Sequence, residues 1–427
     1  VAEDREDGIV QRATWRLLPL LTLLYLVAYI DRQNVSYAKL QMLSDLHMSE
    51  VAYGLGSSLF FIGYLIFGLP SNFALARIGA RRWIACLLLV WGSVTLALAW
   101  ANSATTFFAL RFFLGAAEAG LYPGLLFYMT LWFPDRHRIR AVGYFTLASS
   151  LGNMTGAMIG GYFLGLDGLF HFRGWQLVFL ATGIPPVLLA ALTLVLLPET
   201  PRQARFLTSP EQDILLAALA RDRAAKVASP GGGFWGVVFR PRIFVLALFY
   251  MMISLSIYGI SYWLPTVVKA FGVTSTVNGE LNMIPWALTS VLLLWLPARI
   301  RNLKAILKCV SIAVPVGILC FAASVLIDVP AIRLAALSFG APCVYLMLPC
   351  FWWLPPRMFR GVQTASAIAA INALGNIGGF FGQNLMPQIQ ALTGNVNMPM
   401  IVPAGCLAIL GIGAVLLSRH AAELESP

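Results

Sequence analysis

Residues 198–242, PETPRQARFLTSPEQDILLAALARDRAAKVASPGGGFWGVVFRPR, are the single long polar stretch in a chain of 427 residues. Everything on either side of it is apolar: 59% of the chain is hydrophobic and 11% charged, whereas a soluble domain carries roughly 25% charged residues. The mean hydropathy is +0.79. About 20 apolar residues cross a hydrocarbon core as a helix. Such runs, bounded by charge clusters and Gly/Pro breaks, fall near 15–38, 50–73, 82–101, 105–132, 139–165 and 174–197 before the polar stretch. They recur near 242–266, 279–298, 305–327, 331–353, 362–389 and 398–418 after it. An all-α membrane protein of twelve transmembrane helices in two six-helix bundles is expected.

The divisions follow: a tail at 1–14, an N-terminal bundle at 15–197, a linker at 198–241, a C-terminal bundle at 242–418 and a tail at 419–427. Within the linker, SPEQDILLAALARDRA has helical periodicity and predicts a short amphipathic helix at the membrane surface. Two bundles of six helices suit a transporter built from repeats around a central site.

The net charge of +11 is a matter of loop placement. One alternate set of loops carries Arg77, Arg81, Arg82, then Arg136, Arg138, Arg140, then seven Lys/Arg between the halves, then Arg299, Arg301, Lys304, Lys308, and Arg357, Arg360. The opposite loops carry only Lys39, Arg173, Lys269 and Arg333. The positive-inside rule then puts both termini in the cytoplasm of a multi-pass plasma-membrane protein, the inner membrane if the source is bacterial. The basic balance needs no nucleic-acid partner. The charged N-terminus leads directly into a full-length span, so no cleaved signal peptide is expected.

Four ionisable residues remain deep within spans: Asp31 and Arg32 in the first, Arg111 and Glu118 in the fourth. Each costs about 2.5–3.5 kcal/mol at mid-bilayer on insertion scales, so they must face a polar interior. Residues seven apart on an α-helix share a face about 10 Å apart along the axis. Arg111 and Glu118 thus line one stripe, too distant for an ideal direct pair. Gly115, Ala116, Ala117, Ala119 and Gly120 beside them let a neighbouring helix approach. Asp31 and Arg32 point about 100° apart, and either can face the centre. These charges either lock the first span to the fourth or work as a switch, in which moving a guanidinium relative to a buried carboxylate changes its proton occupancy. In the second case Arg32 and Arg111 attract a carboxylate through parallel hydrogen bonds, Glu118 carries a proton, and Asp31 carries a second.

The second half offers amides and aromatics. Asn372 and Asn376 lie one turn apart, with Gln383 beyond, and serve either substrate or helix packing. Tyr258 and Tyr262 near Pro265, and Tyr64 in the second span, either donate to an anion or pack. Six cysteines (86, 309, 320, 343, 350, 406) lack metal spacing, and the four histidines (47, 137, 171, 420) make no cluster. No phosphate-cradling loop or nucleophile motif occurs. No cofactor, no metal and no enzymatic activity are expected, and energy must come from an ion gradient.

AYIDRQNVSYAKL (28–40), SSLFFIGYLIFGLPSNFALARIGARRWIA (57–85) and ALRFFLGAAEAGLYPGLLFYMTLWFP (109–134) resemble the anion:cation symporter branch of the major facilitator superfamily. LDGLFHFRGWQLVFLATGIP (166–185), YGISYWLPTVVKAFG (258–272) and FWWLPPRMFRGVQTASAIAAINALGNIGGFFG (351–382) are similar to its tartrate, phthalate and hydroxyphenylacetate permeases. The resemblance implies two bundles that rock about a central site and move organic acids with protons. It assigns the substrate carboxylate to Arg32, protonation to Asp31 and Glu118, coupling with Glu118 to Arg111, and substrate contacts to Tyr64 and Asn376. Departures are LARIGARR (75–82), which lacks the loop Asp, PARIRNLKA (297–305), which lacks the related basic motif, and the polar Gln383–Asn384. The expectation is a monomeric, proton-coupled importer of a small aromatic or hydroxylated carboxylate in the lipid bilayer. An exporter or exchanger of such anions is the alternative, and a non-transporting acid sensor the second.

Overall fold

A computed structural model describes residues 2–134, 137, 147–227, 240–296, 302–359 and 362–419. The start of the fifth span, the 297–301 part of the departing loop motif, the Gly-rich end of the linker and His420 lie outside the described residues. So do the loop cations Arg136, Arg138, Arg140, Arg299, Arg301 and Arg360. Among the described residues every regular element is a helix.

The N-terminal spans are Ala2–Asp45, Glu50–Ile78, Ala80–Leu98, Ala104–Glu118 continued by Leu121–Trp132, Ala148–Gly165 and Gly174–Leu196. The C-terminal spans begin with Pro241–Lys269, Ser275–Trp295 and Leu303–Leu326. The tenth runs Pro330–Tyr345, Met347–Trp352 and Pro355–Met358, the eleventh Val362–Gly375 and Ile377–Thr393, and the twelfth Ile401–Arg419. Two breaks have a proline cause. Proline cannot donate to the carbonyl four residues back and its ring crowds that carbonyl. The fourth span accordingly breaks at Ala119 and Gly120, just ahead of Pro123, and the tenth at Leu346, three before Pro349. The eleventh breaks at Asn376 beside Gly375, Gly378 and Gly379.

Nine helical segments among the described residues are long and apolar enough to cross a membrane. The fifth, eighth and eleventh spans fall outside that set because they carry glycine and amide side chains. These are the spans turned toward the other half: the fifth meets the eighth and the eleventh meets the second.

Three local readings change. The tail expected at 1–14 is helical from Ala2 and continuous with the first span. Ile9, Val10 and Ala13 are buried there, and the linker helix Ser209–Val227 lies against this extension. Arg221 pairs with Glu6 at 3.2 Å, and Arg12 pairs with Glu211. Arg333 is no loop cation. It is 5% exposed and donates to the Ser324 carbonyl at 2.9 Å and to Asp328 at 2.9 Å, closing the end of the ninth span, whose last carbonyls lack helical partners. Lys39 is likewise a helical, fully buried residue of the first span.

Candidate functional site

Asp31 and Arg32 diverge as adjacent helical residues must, and their surroundings settle which one faces the centre. Asp31 is 0% exposed and turns into its own bundle. It accepts from Asn34 Nδ2 at 2.9 Å and from Thr95 Oγ1 of the third span at 3.0 Å. Arg32 turns inward. Its Nε donates to Glu118 Oε2 at 3.1 Å, and its terminal nitrogen donates to the Tyr258 hydroxyl, on the other half, at 3.0 Å. The guanidinium carbon also lies 5.2 Å from the Tyr29 ring centroid and 5.7 Å from that of Tyr64, distances at which a cation is attracted to the ring face.

Arg111 does not reach Glu118, in keeping with their seven-residue spacing. It donates to the Ser57 carbonyl at 3.1 Å and sits 5.1 Å from the Phe60 ring centroid. Gly115, one turn on, makes this fit possible: a Cβ there would stand 1.9 Å from the Phe60 carbonyl oxygen. Glu118 Oε1 and Asp31 Oδ2 are buried without a hydrogen-bond partner. Two buried carboxyl oxygens in that condition are ready acceptors for a proton or a donor, because an unmet buried acceptor is costly.

Arg32 and Arg111 line a narrow cavity of about 20 Å³ that is completed from the other half by Tyr258, Tyr262, Tyr345 and Gln383. Gln33 donates to Asn153 at 3.0 Å, and Asn153 donates to the Tyr345 hydroxyl at 2.8 Å, a second bond between the halves. Of the expected site residues, Arg32, Arg111, Tyr258 and Tyr262 are in the cavity wall; Asp31 and Glu118 stand behind Arg32. Tyr64 flanks Arg32 from the second span. Asn372 and Asn376 are elsewhere: they bond each other at 3.2 Å at the break in the eleventh span and do not line the cavity. Gln383, the amide read as a departure, lines it instead. Gln33, Asn153 and Tyr345 were not singled out from the sequence; Gln33 is the immediate neighbour of Arg32, and Asn153 is an amide inside an otherwise small-residue span.

On the side away from the termini the halves are in contact. A Cβ on Gly161 would lie 2.5 Å from Gly279 Cα, so the fifth and eighth spans touch backbone to backbone. Asn384 donates to Ser58 at 2.6 Å. Lys39 Nζ, 3.1 Å from Glu50 Oε2, lies 3.9 Å from the Trp263 ring centroid and 4.9 Å from that of Tyr262. Among the described residues no group of three or more His, Cys, Asp or Glu is arranged to hold a metal.

The Major Facilitator Superfamily profile matches residues 21–383. The chain is 38% identical over 394 residues to a quinolone resistance transporter of Acinetobacter baumannii, covering 92% of this chain and 91% of that one. It is 33% identical over 425 residues to a putative tartrate transporter of Agrobacterium vitis, covering 98% and 97%. The fold matches the inward-facing, unoccupied crystal structure of a bacterial homolog of the human lysosomal transporter Spinster, with a TM-score of 0.74, 16% identity and 99% coverage of both chains.

Proposed function

We propose that this chain, which belongs to the Major Facilitator Superfamily and is an integral membrane transporter and not an enzyme, carries a small organic carboxylate together with protons. The observation that carries the reading is the position of Arg32. Its guanidinium is shared between a carboxylate of its own half, Glu118, and a hydroxyl of the other half, Tyr258. A proton arriving on Glu118 removes the charge that Arg32 answers. The guanidinium is then a buried cation without a counter-ion, a condition worth several kcal/mol, and a substrate carboxylate relieves it through two parallel hydrogen bonds. Tyr258 lets the other half sense which partner Arg32 has. Proton and anion therefore cross together as the halves rock. Asp31, close enough to Glu118 and Arg111 to interact electrostatically with both, is the second proton site in this reading.

Substrate chemistry follows from the wall: two guanidinium groups, phenols and amides suit an aromatic or hydroxylated acid. The 33%-identical relative named a putative tartrate transporter is in line with that. A second reading, export or exchange of organic acids, has its support in the 38%-identical relative named a quinolone resistance transporter. The protein acts as a monomer in this reading, with both termini cytoplasmic. The test is uptake of labelled acids into proteoliposomes with and without an inward proton gradient. Gradient-stimulated accumulation supports symport; accumulation driven only by an outward gradient or by counter-substrate supports the second reading, and binding without accumulation defeats both.

A further inference from the structure

We propose that Cys309 and Cys350 form an oxidisable thiol pair at the cytoplasmic edge of the C-terminal half, where a peroxide closes a disulfide that pins the inner part of the tenth span to the ninth. The pair stands apart from the identity of the transported acid. The ninth and tenth spans, joined by a short connection, run antiparallel and approach closely at two glycines. A Cβ on Gly317 would stand 3.0 Å from Cys343 Cβ, and one on Gly340 would stand 3.3 Å from Cys320 Cβ. These two contacts fix the register. Cys309 precedes Gly317 by eight residues and Cys350 follows Cys343 by seven, so both lie roughly 10–12 Å nearer the cytoplasm by the helical rise. At that shared depth the two thiols interact with each other. Cys320 and Cys343 make no rival pair, because each faces a glycine of the opposite helix.

The two sulfurs differ in access, which divides their roles. Cys309 is half-buried and follows the exposed Lys308, whereas Cys350 is buried. Hydrogen peroxide, small and uncharged, meets Cys309 first. The deprotonated Cys309 sulfur attacks one peroxide oxygen, the O–O bond breaks, and a sulfenic acid and one water result. The Cys350 sulfur then attacks the Cys309 sulfur, the S–O bond breaks, and a second water leaves. Two thiols have given up two electrons and two protons, and one peroxide has become two waters. What the bond would hold is a short piece of helix. Breaks at Leu346 and Trp353 isolate Met347–Trp352, where Phe351 and Trp352 pack on Tyr250 of the seventh span with ring centroids 5.5 and 4.9 Å away. Gly375, at the break in the eleventh span, makes room for the same ring: a Cβ there would stand 2.2 Å from Tyr250 Cδ1. The piece thus joins three inner span ends around one tyrosine, and the disulfide would tie it to the ninth span, an unbroken helix over Leu303–Leu326. Short, locally broken segments open at low cost, and a crosslink takes that opening away.

The test treats the purified full-length protein with hydrogen peroxide, blocks the remaining thiols with N-ethylmaleimide, and maps peptides by mass spectrometry without reduction. The expected product is a crosslinked peptide pair containing Cys309 and Cys350, reversed by dithiothreitol and absent from Cys309→Ala and Cys350→Ala. Hydrogen exchange then reads the lock. Amides of Met347–Trp352 should exchange severalfold more slowly in the oxidised protein than in the reduced one, with no such change on peroxide treatment of either variant. Cys309→Ser, at a half-buried position, serves if Cys350→Ala does not fold. A disulfide chiefly between other cysteines, oxidation of Cys309 to a sulfinic acid with Cys350 still free, or no oxidation of either overturns the pair. Unchanged exchange in the crosslinked protein overturns the lock.

Discussion

Arg32 Nε and Glu118 Oε2 stand 3.1 Å apart across the first and fourth spans, and the same guanidinium reaches Tyr258 of the opposite half at 3.0 Å. One side chain therefore links the candidate proton site, the candidate anion site and the interface that must move.

Tyr258→Phe removes a single hydrogen bond to Arg32 and leaves the ion pair. A net hydrogen bond of about 0.5–1.5 kcal/mol corresponds to roughly a two- to tenfold rise in KM for the transported acid. The response of uptake to the proton gradient should persist. Loss of that response in Tyr258→Phe would place proton coupling on the tyrosine instead of Glu118.

Gly279→Leu should prevent the halves from closing on the side away from the termini, because a Cβ at Gly279 already lies 2.7 Å from the Ala157 carbonyl oxygen. None of the six native cysteines lines the cavity, so a Ser261→Cys reporter in a background without them reads access. Labelling by an impermeant maleimide from that side is expected to rise and transport to fall. Unchanged labelling would mean that the contact is not a gate.

Lys39 and Glu50 should differ in cost although they form one pair. Lys39 is fully buried while the Glu50 side chain is 27% exposed. Glu50→Ala leaves a buried ammonium held only by Trp263 and Tyr262, and should lower stability by about 2–3 kcal/mol. Lys39→Met leaves a carboxylate that water can reach and a methionine against Trp263, and should cost less than about 1 kcal/mol. Thermal unfolding of the two variants in detergent decides it; a larger loss in Lys39→Met contradicts the assignment.

The linker helix is held on the first span outside the membrane by a separate ion pair. The Thr208 backbone amide, then the Arg12 guanidinium, hold the Glu211 carboxyl below the usual carboxylate range. A lowered folded-state pKa adds stability above the unfolded value, which is lost as pH falls through the folded one. Protection of this helix from proteolysis should hold throughout the neutral range and fail only in acid. Glu211→Gln should weaken protection throughout the neutral range, converge with the wild type in acid, and leave gradient-driven uptake intact.

Much of this architecture was legible in the sequence because a bilayer leaves few options: apolar length fixes the spans, and prolines fix two of the internal breaks. The four mid-span charges were legible for the same reason, since nothing but a polar interior tolerates them. Their pairing was not. Arg111 precedes Glu118 by seven residues, but Glu118 finds Arg32, a partner 86 positions away. Nor could periodicity tell that Asn372 and Asn376 would serve the helix break at Gly375 while Gln383 and Tyr345 would reach the cavity; that depends on how the spans rotate about their axes. Lys39 and Arg333 were misread as loop cations because both lie near span ends, where charge usually meets water. Specific partners, Glu50 with the buried Trp263 for Lys39, and the Ser324 carbonyl with the exposed Asp328 for Arg333, hold both cations against the protein.

The central claim is that Glu118 carries a proton that moves with the anion. It is tested most directly by proteoliposomes that enclose a pH-sensitive dye, with the organic acid added outside at symmetrical starting pH. The wild-type lumen should acidify in step with anion uptake, and Glu118→Gln should abolish acidification while still exchanging internal for external acid. Anion accumulation without acidification in the wild type, or undiminished acidification in Glu118→Gln, would contradict the account.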